Sequence, residues 1–392
     1  MDKKVHHKEN NFKAVILAGG NGERFWPLST ASRPKQFLKV FGNESLIRQS
    51  VSRISPLVSP EDTYIITSKQ LVKTTVKELP EIPVANIVGE PMRRDTGAAV
   101  AVGVGVATDN TDPVIGFFPS DQLVGKPVKF RMTIKKAIKL ASRNSSIVVI
   151  GIAPNRPATE FGYINPINSQ FVEKPDLKTA KKYLKSGYLW NAGMFIARAS
   201  VFQAAFNKFA PQLTALSNNR YSSKGLFAKY KNLPRISFDY AIMEPVSKDF
   251  IEATSSITVK VVPGDFEWDD VGSLLSFDKY YSHDSNGNVC DGPSNTVDAT
   301  NNICVSRGAQ ISLLGTSNLV VITTPYYVLV ADKSHVQNMK KLFKRIIPCL
   351  LLVLSLITIL SCDQKDEYKY PRTKYWSYIL NNALVKTMKL LM

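Results

Sequence analysis

The sequence predicts a mostly parallel α/β sheet followed by a compact β unit, and two observations lead to this prediction. From residue 12 to about residue 278, apolar strand-like runs alternate with helix-like segments, as in βαβ units with a parallel sheet. After about residue 286, short apolar bursts are separated by Asn, Asp, Gly and Ser. Ligands of open α/β sheets bind at the carboxyl ends of the strands, so motifs that follow strands are the candidate sites.

In the first region the strand candidates are residues 13–17, 63–67, 114–118, 146–151 and 193–197. The helical candidates are residues 45–54, 96–107 and 130–143. In the second region the short strands with polar turns fit either a small barrel or a few coils of parallel β-helix. Periodicity alone does not choose between these two.

The composition limits the class of ligand. The chain has 392 residues and a formal net charge of +18, which suggests a polyanionic ligand, nucleic acid or an anionic membrane. The first 330 residues contain no zinc-ligand cysteine pair, RNA-binding aromatic signature or long basic block, so we expect no nucleic-acid partner.

The four cysteines show no short-range pairing motif and the first eleven residues are polar. We therefore expect a cytosolic catalytic portion with reduced thiols.

A glycine-rich turn follows the first strand and is the most specific motif. Glycine lets the backbone turn tightly and bring N–H groups close to a polyphosphate, while Arg24 and Lys35 add fixed positive charge. The turn lacks the Gly-Lys-Ser/Thr ending of a P-loop and the third glycine of the dinucleotide fingerprint. The expected nucleotide contacts in it are Leu17, Gly19, Gly20 and Gly22.

Two carboxylates stand in contexts that suit a metal ion. Asp121 directly follows the apolar run Phe117-Phe118-Pro119, and Asp270 lies between Trp268 and Gly272. A polyphosphate ligand commonly comes with a hard cation, usually Mg²⁺, held by one or two carboxylates together with phosphate oxygens. For either residue alone, a strand-end Asp that caps the next helix is the competing interpretation.

The chain resembles the sugar-phosphate nucleotidylyltransferases from about residue 12 to about residue 337. The extensions Phe25-Trp26-Pro27-Leu28-Ser29 and Pro34-Lys35-Gln36-Phe37-Leu38 look specifically like the mannose-1-phosphate guanylyltransferases. The resemblance implies a Rossmann-like nucleotidyltransferase domain followed by a short left-handed parallel β-helix. It also implies transfer of GMP from GTP to mannose 1-phosphate with Mg²⁺, and it leaves a homodimer open.

Site residues follow from the resemblance motif by motif. Arg24 and Lys35 match the catalytic positions, and Asp121 and Asp270 match the metal-binding positions, with Gln122 where members of the family often have His. The segment Glu90–Ala99 resembles the nucleobase-contacting segment, with Asp95 where Asn is frequent; its implied contacts are Glu90, Arg94, Asp95 and Thr96. The implied sugar-phosphate contacts are Gly162, Glu173, Lys174 and Asn191, with Asp239 and Glu244 in a supporting or merely structural position.

Alternatives remain at the level of function. Another sugar-1-phosphate nucleotidylyltransferase, for example a glucose-1-phosphate thymidylyltransferase, would use the same mechanism. A nucleotide-sugar sensor would keep the fold without catalysis, although it has no need for the full charged set. No metal-binding His/Glu set follows residue 339, so we expect no isomerase activity.

The expected domains are a catalytic domain at 12–278, a small β-helix-like domain at 286–337 and an atypical tail at 339–392. In the tail, a basic stretch precedes an apolar run at 346–361, which is short for a bilayer span of about 20 residues. With Leu360-Ser361-Cys362 it is similar to a bacterial lipoprotein signal peptide, which functions only at an N-terminus. The preferred hypothesis is that a frameshift or a lost stop codon has fused a foreign reading frame to the chain. A short membrane anchor is the second hypothesis and a buried core helix is the third. Only the membrane anchor would bring the chain into contact with a membrane.

Overall fold

The computed structural model describes residues 11–20, 22–220, 223–252 and 257–342. The chain divides into two compact units. The first takes the residues up to Gly19 together with Leu46–Asp270, and the second takes Gly20–Ser45 together with the residues from Val271 onward. The three hypotheses about the apolar run at 346–361 concern residues outside the described ranges. Within those ranges no helix is long and apolar enough to cross a membrane.

The first unit is built on one large sheet. Its strands and two short additional ones are β1 Phe12–Ala18, β2 Thr63–Ser68, β3 Ile87–Glu90, β4 Val114–Pro119, β5 Leu123–Val124, β6 Ser146–Ile152, β7 Tyr163–Ile164, β8 Phe171–Val172, β9 Leu189–Arg198, β10 Thr258–Gly264 and β11 Trp268–Asp269. The main order is β10-β6-β9-β4-β1-β2-β3, while β7 and β8 extend from β9, and β5 pairs with β11 separately. The five strands predicted in this region are all present.

The sheet is mostly parallel, as predicted, with one reversed strand in the main order. β1 pairs in parallel with β2 and β4, β2 with β3, and β6 with β10. β9 runs antiparallel to both of its neighbours, β4 and β6. As a result, the beginning of β9 lies at the edge where its neighbours end.

Helices connect these strands. They are α1 Leu46–Ile54, α2 Val72–Glu78, α3 Asp95–Ala107, α4 Pro127–Arg143, α5 Leu177–Lys185, α6 Ala199–Phe209, α7 Pro211–Ser217, α8 Ser223–Tyr230 and α9 Glu244–Ile251. Short 3₁₀ turns lie at Pro60–Asp62, Lys69–Leu71 and Val84–Asn86, and a π-turn at Asp239–Met243 precedes α9. The predicted helices correspond to α1, α3 and α4.

Helices cover both faces of the sheet. Successive residues of a strand point to opposite faces and so contact different helices. On β4, Phe117 packs edge-on against Phe202 of α6, whereas its neighbour Phe118 packs against Phe130 of α4. The α3 helix is buried from Gly97 to Ala107, and a Cβ at Gly103 would lie 2.6 Å from the Phe117 ring. Glycine in α3 therefore lets the helix approach the sheet more closely than any larger residue would.

The second unit combines the segment Gly20–Ser45 with a small β domain. Its elements are 3₁₀ turns at Glu23–Phe25, Lys35–Phe37 and Lys333–Asn338, helix α10 Ser276–Tyr280, and strands β12 Val289–Asp291, β13 Ser294–Val297, β14 Ile303–Ser306, β15 Ile311–Leu314, β16 Leu319–Thr323 and β17 Val328–Asp332. Parallel pairs stack β12 on β14 and β14 on β16, and β13 on β15. Successive parallel stacking is the pattern of a β-helix and not of a barrel, while β17 closes the stack antiparallel to β16.

Two buried asparagines join the coils of the β-helix. Asn302 donates its side-chain amide to Asn288 Oδ1 at 2.9 Å, and its own Oδ1 accepts from the backbone N–H of Leu319 at 2.9 Å. Asn288 in turn donates to the carbonyl of Ala299 at 2.8 Å. Both amides are buried and hydrogen-bonded on each side, which is the condition under which buried polar groups stabilise a core.

Candidate active site

The carboxyl ends of the parallel strands place several predicted residues at one edge of the first unit. Leu17 of β1 lies opposite Pro119 of β4, so Asp121 follows just beyond that edge. Ser68 of β2 lies opposite Glu90, the last residue of β3. A Cβ at Gly19 would come within 3.2 Å of Glu90 Oε2, so the start of the glycine-rich turn lies directly beside this carboxylate.

Glu90 is a buried carboxyl group. Tyr230, at the end of α8, donates its phenolic O–H to Glu90 Oε1 at 3.0 Å, and both side chains are buried. Burial raises the pKa of Glu90 to about 7, with a further contribution from the charge of Asp95, against the opposing effect of the Tyr230 hydrogen bond. The sequence contained no sign of Tyr230, which lies 140 positions away along the chain.

The remaining residues of the predicted base-contacting segment have different roles. Arg94 donates from Nε to the carbonyl of Tyr230 at 3.0 Å and from Nη2 to that of Lys231 at 2.9 Å. The hydroxyl of Thr96 accepts from the backbone N–H of Phe238 at 2.9 Å. Asp95 is exposed, with a positive φ of 64°. Arg94 and Thr96 thus hold this segment to other parts of the first unit.

Asp121 and Asp270 lie on neighbouring chain segments. The short antiparallel ladder of β5 and β11 pairs Leu123 with Asp269, and the backbone N–H of Gly125 donates to the carbonyl of Glu267 at 2.9 Å. Asp121 lies two residues before Leu123 and Asp270 lies directly after Asp269. Both aspartates are therefore at the same end of the ladder. In the described part of the chain no group of three or more His, Cys, Asp or Glu could hold a metal by itself. Two carboxylates fit Mg²⁺, which takes its other ligands from substrate phosphates and water.

Glu173 and Lys174 form the centre of the predicted sugar-phosphate site. Lys174 Nζ lies 2.9 Å from Glu173 Oε1, and the Lys174 side chain is half exposed. The backbone N–H of Glu173 donates to Glu244 Oε1 at 2.7 Å. Glu173 Oε2 is buried and has no hydrogen-bond partner among the described residues, and burial raises the pKa of this carboxyl group. A Cβ at Gly162 would lie 2.5 Å from that same oxygen.

Asn191, at the beginning of the reversed strand β9, is fixed by two hydrogen bonds. Its Nδ2 donates to Asp239 Oδ1 at 2.8 Å, and its Oδ1 accepts from the backbone N–H of Gly193 at 2.8 Å. Burial, followed by the charge of Glu173, raises the pKa of Asp239 to about 7. Asp239 and Glu244 are therefore hydrogen-bonded to Asn191 and Glu173, two residues of the predicted sugar-phosphate site. This is the supporting position that the sequence analysis left open for them.

Arg24 and Lys35 belong to the second unit. Arg24 is exposed, whereas Lys35 is buried with its Nζ 5.6 Å from the centre of the Phe25 ring. Two side chains bond to glycines of the turn: Ser29 Oγ donates to the Gly22 carbonyl at 2.6 Å and Gln36 Nε2 to the Gly20 carbonyl at 3.1 Å. These bonds fix the backbone carbonyls of Gly20 and Gly22.

Comparisons with known proteins agree with this arrangement. A family model described as "Nucleotidyl transferase" matches residues 13–286, and one described as "MannoseP isomerase/GMP-like beta-helix domain" matches residues 294–346. Mannose-1-phosphate guanylyltransferase 2 of Escherichia coli O157:H7 is 32% identical over 385 residues, covering 91% of this chain and 74% of that protein. Mannose-1-phosphate guanylyltransferase RfbM of Salmonella typhimurium strain LT2 is 32% identical, with 85% and 72% coverage.

A solved structure is also similar. The crystal structure described as mannose-1-phosphate geranyltransferase from Thermus thermophilus superposes with a TM-score of 0.75 at 31% identity. The match covers 86% of this chain and 99% of that chain. The similarity thus extends over both units and does not rest on the sheet alone.

Proposed function

Because the chain belongs to the nucleotidyl transferase family, we propose that it transfers GMP from GTP to mannose 1-phosphate, giving GDP-mannose and pyrophosphate. The names of the relatives favour GTP and mannose, and the observation that carries the choice of a sugar phosphate is the pair Glu173 and Lys174. A buried acceptor oxygen without a partner among the described residues needs a hydroxyl donor, and the half-exposed ammonium beside it suits a phosphate. A sugar phosphate supplies both groups in one molecule.

In the proposed reaction an oxygen of the sugar phosphate attacks the α-phosphorus of GTP in line. A P–O bond forms there, the bond from the α-phosphorus to the bridging oxygen breaks, and pyrophosphate leaves with the electron pair. The attacking phosphate is already ionised at neutral pH, so no general base is needed. Catalysis then consists of positioning and of stabilising charge.

Each residue has a proposed role in that chemistry. Arg24 stabilises the β- and γ-phosphates as they leave, and Lys35 contacts the α-phosphate or the attacking oxygen. Lys174 binds the sugar phosphate, while Glu173 accepts from the sugar hydroxyls. Turn residues Leu17, Gly19, Gly20 and Gly22 present backbone groups to the nucleotide.

The base and the metal are assigned by chemistry. Guanine offers N–H donors at N1 and N2, and we assign Glu90 and Asp95 as their acceptors. Asp121 and Asp270 would hold Mg²⁺, which offsets phosphate charge and orients the α-phosphate when bound. Oxygen donors of this kind favour Mg²⁺ over softer metals.

A substrate panel tests the proposal. Pyrophosphate release is measured with the full chain, Mg²⁺ and mannose 1-phosphate against GTP, dTTP, UTP and ATP in turn, with glucose 1-phosphate as the alternative sugar. We expect release with GTP and mannose 1-phosphate, and loss of release with a chelator. Release with another pair would keep the mechanism and change the substrate. No release with any pair, from folded protein, would favour a sensor.

A further inference from the structure

We propose that Gln122 is a positioning residue that holds the Asp121 and Asp270 segments and the beginning of β9 in one arrangement. Gln122 directly follows Asp121 and its side chain is almost fully buried. This proposal rests on the function proposed above, because it concerns the segments assigned to the metal. The residue itself contacts neither the metal nor substrate in this proposal and acts through its neighbours.

The side-chain amide of Gln122 bridges two other segments. Its Oε1 accepts from Trp268 Nε1 at 3.0 Å, and its Nε2 donates to the backbone carbonyl of Ala192 at 2.9 Å. Trp268 is two residues before Asp270, and Ala192 directly follows Asn191. One amide therefore links the segments that carry both proposed metal ligands with the backbone next to a proposed sugar contact.

The two partners fix the orientation of the amide. An indole N–H can only donate and a carbonyl can only accept, so the oxygen of Gln122 must face Trp268 and its nitrogen must face Ala192. The reverse orientation would place donor against donor and acceptor against acceptor in a buried site. A buried amide with both partners matched rigidifies its surroundings.

The backbone ladder that joins the Asp121 and Asp270 segments is short. The pairing of β5 with β11 spans only two residues on each strand, and isolated two-stranded pairs of that length are weak. Trp268 is also packed, with its ring 5.3 Å from that of Phe161 and 6.4 Å from that of Trp190. Gln122 lies between Asp121 and Leu123, the first residue of the ladder, so its bond to Trp268 adds a second link between the segments that carry the two aspartates.

Gln122→Leu removes both hydrogen bonds at similar volume, and Gln122→Met keeps the length of the side chain and a weak acceptor while removing the N–H donor. Because contacts of this type orient metal ligands, we expect Gln122→Leu to weaken Mn²⁺ binding, with Mn²⁺ as the probe of the full-length protein, by about tenfold or more. The Mg²⁺ concentration for half-maximal activity should rise in parallel. Gln122→Met should show a change in the same direction.

Gln203→Leu is the matched control. Gln203 of α6 also donates its amide to a backbone carbonyl, that of Ser217, at 3.0 Å, and it has no part in the proposed site. We expect normal Mn²⁺ binding in this variant. Equal losses in Gln203→Leu and Gln122→Leu would indicate a general structural effect and would overturn the proposal.

Failure of the proposal and failure of the proposed function can be told apart with Asp270→Ala. Mn²⁺ binding that is lost in Asp270→Ala but unchanged in both Gln122 variants would overturn the positioning role alone. Mn²⁺ binding that Asp270→Ala leaves unchanged would overturn the metal assignment, and the positioning role with it. Should Gln122→Leu not fold, Gln122→Met of similar length decides, since unchanged Mn²⁺ binding there would contradict a role for the bond to Ala192.

Discussion

Gly22 and Lys35 pack so closely that a Cβ on residue 22 would lie 2.5 Å from the Cβ of Lys35 and 2.6 Å from its backbone nitrogen. Gly22 also has a positive φ of 62°, which residues with a side chain rarely adopt. The glycine-rich turn and the Pro-Lys-Gln motif are thus one packed structure, although thirteen positions separate the two residues in the sequence. The absence of a side chain at Gly22 leaves the space that the backbone and Cβ of Lys35 occupy.

Gly22→Ala should therefore lower turnover by about tenfold or more, because it both strains the turn and displaces Lys35. Gly20→Ala is the matched comparison, since a Cβ there meets nothing within 4 Å. We expect Gly20→Ala to keep the thermal stability of the wild type and to raise the KM for GTP if the turn approaches the phosphates. Steady-state kinetics and thermal unfolding measure both effects. Normal turnover in Gly22→Ala would show that Lys35 does not need its present position.

Arg24→Ala should lower kcat by about a hundredfold or more while leaving stability unchanged. Arg24 is exposed, so its removal leaves no cavity, whereas charge stabilisation of transferring phosphates is a large catalytic term. Initial rates of pyrophosphate release and thermal unfolding are the measurements. Arg143→Ala, at the exposed end of α4, controls for the loss of one positive charge. A kcat within a few-fold of the wild type would remove Arg24 from the mechanism.

Gly162→Ala should raise the KM for mannose 1-phosphate by about tenfold and leave the KM for GTP nearly unchanged. The added methyl group would lie 2.5 Å from Glu173 Oε2 and push this carboxylate from its place. Glu173→Gln, which keeps the size and removes the charge, should change the same KM in the same direction. Glu61→Gln, at an exposed position, is the control. Equal effects on both substrates would instead indicate a general disturbance of the first unit.

Stability should decrease as pH rises because of Glu90. Its pKa is raised from an ordinary 4.5 to about 7, so between these values the folded state holds a proton that the unfolded state has lost. The stabilisation is complete below pH 4.5 and is lost as pH rises through about 7, a difference of about 3 kcal/mol at most. Glu90→Gln does not titrate and should lack this change.

Urea unfolding of the wild type and of Glu90→Gln from about pH 5 to pH 8 checks this prediction through the difference between the two curves, in which other titrating groups cancel. Asp95→Asn removes a charge that contributes to raising the pKa of Glu90. It should therefore reduce the pH-dependent loss of stability in the wild-type background and have no such effect in Glu90→Gln. The exposed Glu252→Gln should leave the curve of the wild type unchanged. Parallel curves for wild type and Glu90→Gln would contradict a raised pKa.

The sequence predicted five strands of the first unit, β1, β2, β4, β6 and β9, and three of its helices, α1, α3 and α4, because their apolar runs are long and periodic. It did not predict that β9 runs in reverse, since strand direction depends on connections and leaves no mark on the pattern of apolar residues. Coils of β-helix were chosen over a barrel by resemblance. The burial of Asn288 and Asn302 could not be foreseen, because their sequence surroundings are like those of the exposed Asn286 and Asn301.

The residues of the site also divide into those that carry a local signal in the sequence and those that do not. Asp121 could be singled out because it directly follows a long apolar run, whereas Glu90 and Glu173 were chosen through the resemblance of their motifs to those of a known family. Contacts between distant parts of the chain could not be predicted, and Tyr230 with Glu90 and Trp268 with Gln122 are examples. Both pairs join residues more than a hundred positions apart, and no local pattern specifies such pairs.

The fate of the α-phosphate tests the proposed reaction more directly than any substitution. GTP with a radioactive α-phosphate is incubated with the full chain, mannose 1-phosphate and Mg²⁺, and the products are separated by chromatography. We predict that the label moves into GDP-mannose and that the pyrophosphate released in equal amount is unlabelled. Label that remains in GTP, or that is released as GMP without forming a nucleotide sugar, would contradict attack by the sugar phosphate on the α-phosphorus.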